Sequence, residues 1–160
     1  MVDRLPLREA NIDDVSALVE HRRRMFEDMA LAENHALNAD ELDRMDREYA
    51  IKVQQHLVDG RLRAWVVEGD DRIVASGAIW FIDWLPRPDD FTGRLAYLHS
   101  VYTIPEYRGI GLARRIVVAM LDECRAQGLK RISLHASPAG RSIYEALGFD
   151  STNEMRLVFE

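Results

Sequence analysis

Two glycines flanked by arginines, in the run Tyr107-Arg108-Gly109-Ile110-Gly111-Leu112-Ala113-Arg114-Arg115, carry the clearest chemistry in the chain. Glycine admits a positive φ and lets the backbone approach a ligand with no Cβ in the way. A helix that opens at such a loop presents unpaired N–H groups and the positive end of its dipole. Phosphate and pyrophosphate are the groups this attracts, and Arg108, Arg114 and Arg115 add charge-assisted donors.

Two nucleotide-loop patterns fail here. A Walker loop needs Lys and then Ser or Thr after its last glycine, and neither follows Gly109 or Gly111. A dinucleotide fingerprint needs a third glycine where Arg114 stands, within repeating βαβ units that this chain lacks. What the run does spell is Arg-x-x-Gly-x-Ala, from Arg108, Gly111 and Ala113. Before it comes Leu98-His99-Ser100-Val101-Tyr102-Thr103-Ile104-Pro105-Glu106-Tyr107, a strand running into a Pro turn. After it comes Ser142-Ile143-Tyr144-Glu145-Ala146-Leu147-Gly148-Phe149, a helix bearing Tyr that ends in Leu-Gly-Phe. In this order the three segments resemble the GNAT N-acetyltransferase superfamily, specifically over residues 95–149 and architecturally before them. One departure is Ser137, seven residues before Tyr144, where many members carry Asn.

The elements that must position these residues follow from periodicity and punctuation. A strand is expected at residues 2–8, with Leu5 and Leu7 alternating against polar neighbours. Asn11 caps a helix to about Ala30 with the stripe Val15, Leu18, Val19, Met25, Phe26 and Met29. Asn38 with Glu41 reads as a capping box for a second helix, which stops near Gly60. Strands at residues 63–68 and 72–83 form a hairpin across Gly69-Asp70-Asp71, and Pro86 and Pro88 break the chain into a loop. Further expectations are a strand at 92–103, a helix at 111–127 ended by Gly128, a strand at 130–136, a helix at 139–147 capped by Gly148, and a terminal strand or hairpin arm at 149–159. The order β-α-α-β-β-β-α-β-α-β predicts a mixed α/β (α+β) fold, with helices on both faces of one sheet. The resemblance implies that this sheet is mostly antiparallel.

The bulk properties fit one globular domain spanning residues 1–160, with 48% hydrophobic and 30% charged residues, and the resemblance implies that it is an acetyltransferase domain. The net charge of −6 argues against a broad nucleic-acid surface, and an acidic protein suits a cationic amine. No apolar run approaches the roughly 18 residues of a membrane helix. The start, Met1-Val2-Asp3-Arg4-Leu5-Pro6, does not read as a signal peptide. The single Cys124 sits on an apolar helix face and suits a reducing cytoplasm. His21, His35 and His56 show no metal-ligand spacing with Cys124, so no metal is expected.

The resemblance further implies acetyl-CoA as co-substrate and an amine as acceptor, with a homodimer as a family habit. Carried over by motif position, Arg108, Gly109, Ile110, Gly111, Leu112, Ala113 and Arg114 hold the pyrophosphate. Backbone groups of Val101, Tyr102 and Thr103 hold the pantetheine arm, with a polar contact from Ser137, and Tyr144 protonates the departing sulfur. Arg114 and Arg115 point different ways on a helix, and Arg114 is assigned to the cofactor; Arg141 faces either the phosphates or solvent. For the general base, His99 (read as sharing a strand face with Val101 and Thr103) and His135 have suitable intrinsic pKa values. Structural histidines are the commoner case, Asp83 and Glu106 are weaker choices, and a water relay leaves no sequence trace. Trp80, Phe81 and Trp84 wall an acceptor pocket or, for at least two of them, pack the core. The carboxylates Asp40, Glu41, Asp43, Asp46 and Glu48 read as a solvated helix face before they read as an amine attractor. Transfer of another acyl group, such as succinyl, and a non-catalytic CoA-binding regulatory module are the alternatives.

Overall fold

Asp70 and Asp71, at φ +46 and +62, make a two-residue turn of the kind that matches strand twist in hairpins. The turn joins β2 (Leu62–Gly69) to β3 (Arg72–Asp83), the long strands at the centre of the computed structural model, which describes residues 5–160. β1 (Leu7–Glu9) lies outside β2, and β4 (Arg94–Thr103) pairs with β3 on the other side. β5 (Ile132–Leu134) closes the order β1-β2-β3-β4-β5; the first three pairings are antiparallel and β4·β5 is parallel. The mixed, mostly antiparallel sheet is therefore as expected. Residues 2–4 of the expected first strand lie outside the described residues.

α1 (Val15–Ala32) is preceded by a 3-10 turn at Ile12–Asp14, where Asn11 and Asp14 form a reciprocal capping box. Asn38 caps α2 (Ala39–Asp59) by accepting from the Asp40 and Glu41 amides, and Gly60 ends it in the left-handed region. α1 and α2 cover one face of the sheet over Leu62, Ala64, Val66 and Ala78. α3 (Leu112–Ala126) covers the other over Val67, Ala75, Ile79 and Leu98, using the stripe Leu112, Ile116, Val117, Met120, Leu121 and Cys124. Close approach is built in there: a Cβ on Gly77 would stand 2.7 Å from Ile116 Cγ2. α4 (Arg141–Ala146) adds Tyr144, followed by Leu147 and Phe149, to the α3 side.

The expected terminal strand does not form. Residues 150–160 carry no ladder, and Met155, Leu157, Val158 and Phe159 are 77–94% exposed. Their alternation satisfies the side-chain rule for a strand, but a strand also needs a partner edge, and β5 is three residues long.

Other residues find plainer roles than chemistry. Trp80 packs under α2 against His56, Phe81 is buried with the α3 cluster, and Trp84 is 53% exposed. Asp43 and Asp46 both accept from Arg23, so these carboxylates serve to join α2 to α1. Cys124 is fully buried, and burial pushes its thiol up to about 11, which marks a core residue.

Candidate active site

Parallel pairing of β4 with β5 stops at Leu98↔Leu134, while β4 runs on to Thr103 against β3. From His99 onward, β4 has β3 on one side and, among the described residues, no strand on the other. The β4–α3 and β5–α4 connections both leave the C-terminal ends of these parallel strands. The glycine loop and α4 therefore gather at the open end of the splay, the usual ligand crevice of such an arrangement.

β4 is bulged just past the split. Its register against β3 shifts between Ser76 and Ala78, and Ser100 sits at φ +54. For a non-glycine residue that backbone state costs of order 1–3 kcal/mol. It turns two consecutive side chains, His99 and Ser100, toward α1 and α2. Val101 faces α3 instead, its Cγ2 3.3 Å from a Cβ built on Gly77. His99 thus does not share a face with Val101 and Thr103, because the extra residue breaks the period of two.

Three side chains meet on the buried Ser100 hydroxyl. Arg22 Nη1 donates to Ser100 Oγ at 2.8 Å, Tyr49 Oη donates at 3.5 Å, and His99 Nδ1 lies 3.0 Å away. With both donors on the serine lone pairs, the serine proton goes to His99 Nδ1, which assigns the imidazole hydrogen to Nε2. Burial first, and the Arg22 charge second, hold His99 down to about 3. A ring whose Nδ1 is engaged by Ser100 and whose protonation is disfavoured by burial is poorly suited to take a proton from an amine. His135 is no better placed: it packs against Tyr97 and contacts the Arg156 guanidinium. Asp83 and Glu106 are both exposed, and Glu106 is paired with Arg72.

The glycine loop is an open row of donors. Gly109 and Gly111 lie at φ +76 and +85. Among the described residues, no acceptor meets the backbone N–H of Gly109, Ile110, Gly111, Leu112, Ala113 or Arg114, whereas the Arg115 amide bonds to the Gly111 carbonyl. Beside the loop, the buried Thr103 Oγ1 has no hydrogen-bond partner. Such a row, opening a fifteen-residue helix, fits a pyrophosphate.

The arginines divide. Arg108 is engaged within the protein: its Nε donates to the Thr103 carbonyl at 2.8 Å, and its terminal nitrogen pairs with Asp28 of α1. These two bonds tie the loop to α1 and occupy one of the β4 carbonyls. Arg115 donates to the Leu5 carbonyl, while Arg114 is exposed and forms no ion pair with a described residue. Arg141 pairs with Glu145 and Ser151. Ser137 Oγ accepts from the Gly140 amide at 3.1 Å and so shapes the turn into α4. Tyr144 is half-buried against Phe149, its hydroxyl takes no hydrogen bond among the described residues, and burial raises its pKa from the ordinary tyrosine value.

Arg22, Tyr49 and Ser100 were not singled out by the motifs. Arg22 did leave a trace: it stands four residues after Leu18 and three before Met25, in the middle of an apolar stripe where a charge is out of place. Among the described residues, no three His, Cys, Asp or Glu side chains cluster as metal ligands do, and no helix is long and apolar enough to cross a membrane.

Known proteins share this arrangement. A structure of a predicted acetyltransferase with acetyl-CoA from Clostridium acetobutylicum superposes with a TM-score of 0.86 at 31% identity, covering 97% of this chain and 96% of that one. A GCN5-related N-acetyltransferase from Ralstonia eutropha gives 0.85 at 24% identity over 97% and 98%, a likeness of fold. In sequence, an N-acetyltransferase of Escherichia coli, YjgM, is 29% identical over 92 residues, 54% of this chain and 50% of its own. The match thus spans half that relative's length. The glucosamine 6-phosphate N-acetyltransferase of Trypanosoma brucei brucei is 28% identical over 109 residues, 64% of this chain and 72% of its own. The model of the acetyltransferase (GNAT) family matches residues 16–149, and with the split sheet and the glycine loop in place the chain belongs to that family of acyltransferase enzymes.

Proposed function

We propose that this enzyme transfers an acetyl group from acetyl-CoA to the amine of a small molecule or protein by direct attack, without a covalent enzyme intermediate or a metal. The observation that carries the reading is the row of six amides at residues 109–114 that have no acceptor among the described residues, opening beside the split between β4 and β5. Acetyl-CoA supplies a thioester whose thiolate is already a fair leaving group. The amides of the loop bind its pyrophosphate, with Arg114 adding charge and Arg108 bracing the loop. The free backbone edge of β4 at Val101 and Tyr102 aligns the pantetheine arm, whose amides suit such an edge. The amine nitrogen forms its bond to the acyl carbon as the C–S bond breaks. Tyr144 Oη gives its proton to the departing sulfur, and the amine proton leaves through water, since His99 is poorly suited to take it. We read residues 1–160 as one acetyltransferase domain acting in the cytoplasm.

Release of free CoA thiol, followed over a panel of amines, tests this reading. Turnover with at least one amine, dependent on both substrates, is the expected result. Saturable CoA binding with no turnover on any amine would mark a binding module instead.

We further propose that two copies associate through residues 150–160, whose exposed apolar side chains have no partner among the described residues of their own chain. Sedimentation should give a dimer for the full chain and a monomer for a chain ending at Phe149. A monomer in both cases contradicts this.

A further inference from the structure

Three consecutive arginines on α1 meet different fates. Arg23 engages Glu27, Asp43 and Asp46, and Arg24 engages Glu20. Arg22 is turned to the sheet and has no carboxylate partner among the described residues. Its guanidinium lies 5.1 Å from the centre of the Phe26 ring and 4.8 Å from that of Tyr49, and a single donor reaches Ser100 Oγ. A guanidinium carries five donors, so most of its hydrogen-bonding capacity is unspent. Its remaining nitrogens are not sealed off, since the fully buried partnerless side-chain atoms among the described residues are Asp46 Oδ1 and Thr103 Oγ1. A half-buried cation held by two aromatic faces, with no counter-charge, is stabilised by an anion that arrives with a ligand. The facing groups oppose nothing to it: Tyr49 and Ser100 are neutral hydroxyls and His99 a neutral ring. Ser100 is two residues beyond Leu98, where β4 and β5 part, so this cation overlooks the point at which the splay begins.

We propose that Arg22 is a specificity residue which binds an anionic group, carboxylate or phosphate, carried by the amine acceptor. This rests on the transferase reading above and narrows its acceptor class to amines that also bear a negative charge. Phe26 and Tyr49 fix the guanidinium plane, and Ser100 holds one edge of it, leaving the other edge for a two-point contact.

Matched probes separate the sources of charge: an amino acid against its carboxamide, and a phosphorylated amino sugar against the unphosphorylated sugar. The protein, saturated with CoA and labelled with ¹⁵N-arginine, is titrated with each, and the Arg22 Nε–H signal is assigned by its absence from Arg22→Lys. At least one anionic probe should shift that signal saturably while its neutral partner does not. In turnover, kcat/KM for that anionic amine should exceed that for its neutral partner by roughly 10- to 100-fold. Arg22→Met should abolish the preference, Arg22→Lys should retain part of it, and CoA affinity should be unchanged in both. An Arg22 signal that ignores every anionic probe overturns the proposal, whether or not turnover is seen. Turnover on amines with no preference for charge overturns it too, while leaving the transferase reading intact.

Discussion

Replacing Gly111 by valine should weaken CoA binding by about one to two orders of magnitude and leave thermal stability nearly unchanged. Gly111 stands at φ +85 as the residue before α3, and a Cβ built there meets nothing within 4 Å. The penalty is therefore conformational rather than steric. A left-handed backbone costs an L-residue roughly 1–2 kcal/mol, more for a β-branched one. The loop escapes that cost by relaxing to negative φ, which rotates neighbouring N–H groups out of their common direction. Each amide lost from the row removes a charge-assisted bond to the pyrophosphate. Because the loop is exposed and carries no core side chain except Leu112, the fold itself loses little. Calorimetric titration with CoA, paired with a melting curve, measures both halves. Unchanged affinity would show that the amide row is not the binding element.

The second large effect is at Tyr144. Tyr144→Phe should lower kcat by about 10²-fold, the lower end for a positioned acid, with little change in KM for acetyl-CoA. The hydroxyl makes no hydrogen bond among the described residues, so its loss disturbs no network seen there, and the ring keeps its packing against Phe149. The pH profile carries a separate signature. Burial raises the phenol above its ordinary 10, so the group is protonated at every pH below that. An acid is competent below its pKa and fails above it, so Tyr144 imposes no alkaline decline in kcat until pH exceeds 10. Steady-state kinetics from pH 6 to 10 check both points. A phenylalanine variant with wild-type kcat would remove Tyr144 from proton transfer.

The parts of the fold that were legible in the sequence are those fixed by local chemistry. Asn11, Asn38 and Gly60 mark helix ends because caps satisfy orphan backbone groups within one turn. Asp70 and Asp71 announce a hairpin, and Gly109 and Gly111 a loop, for the same local reason. What eluded the sequence depends on partners distant along it. The bulge that brings His99 and Ser100 to one face exists because β4 is out of step with β3 at Ser76 and Ala78. That Arg108 also reaches Asp28, eighty residues earlier, is set by the docking of α1 and left no local trace. The tail from residue 150 has the alternation of a strand, and pattern alone cannot supply the edge it would pair with.

CoA recognition rests on the amides of Gly109, Ile110, Gly111, Leu112, Ala113 and Arg114. Amide hydrogen exchange by NMR, without and with saturating CoA, observes them individually. In the free protein they should exchange fast, having no acceptor among the described residues. With CoA bound, most of the six should become protected together, by at least tenfold. Saturation with CoA that leaves their exchange unaltered would contradict the central claim.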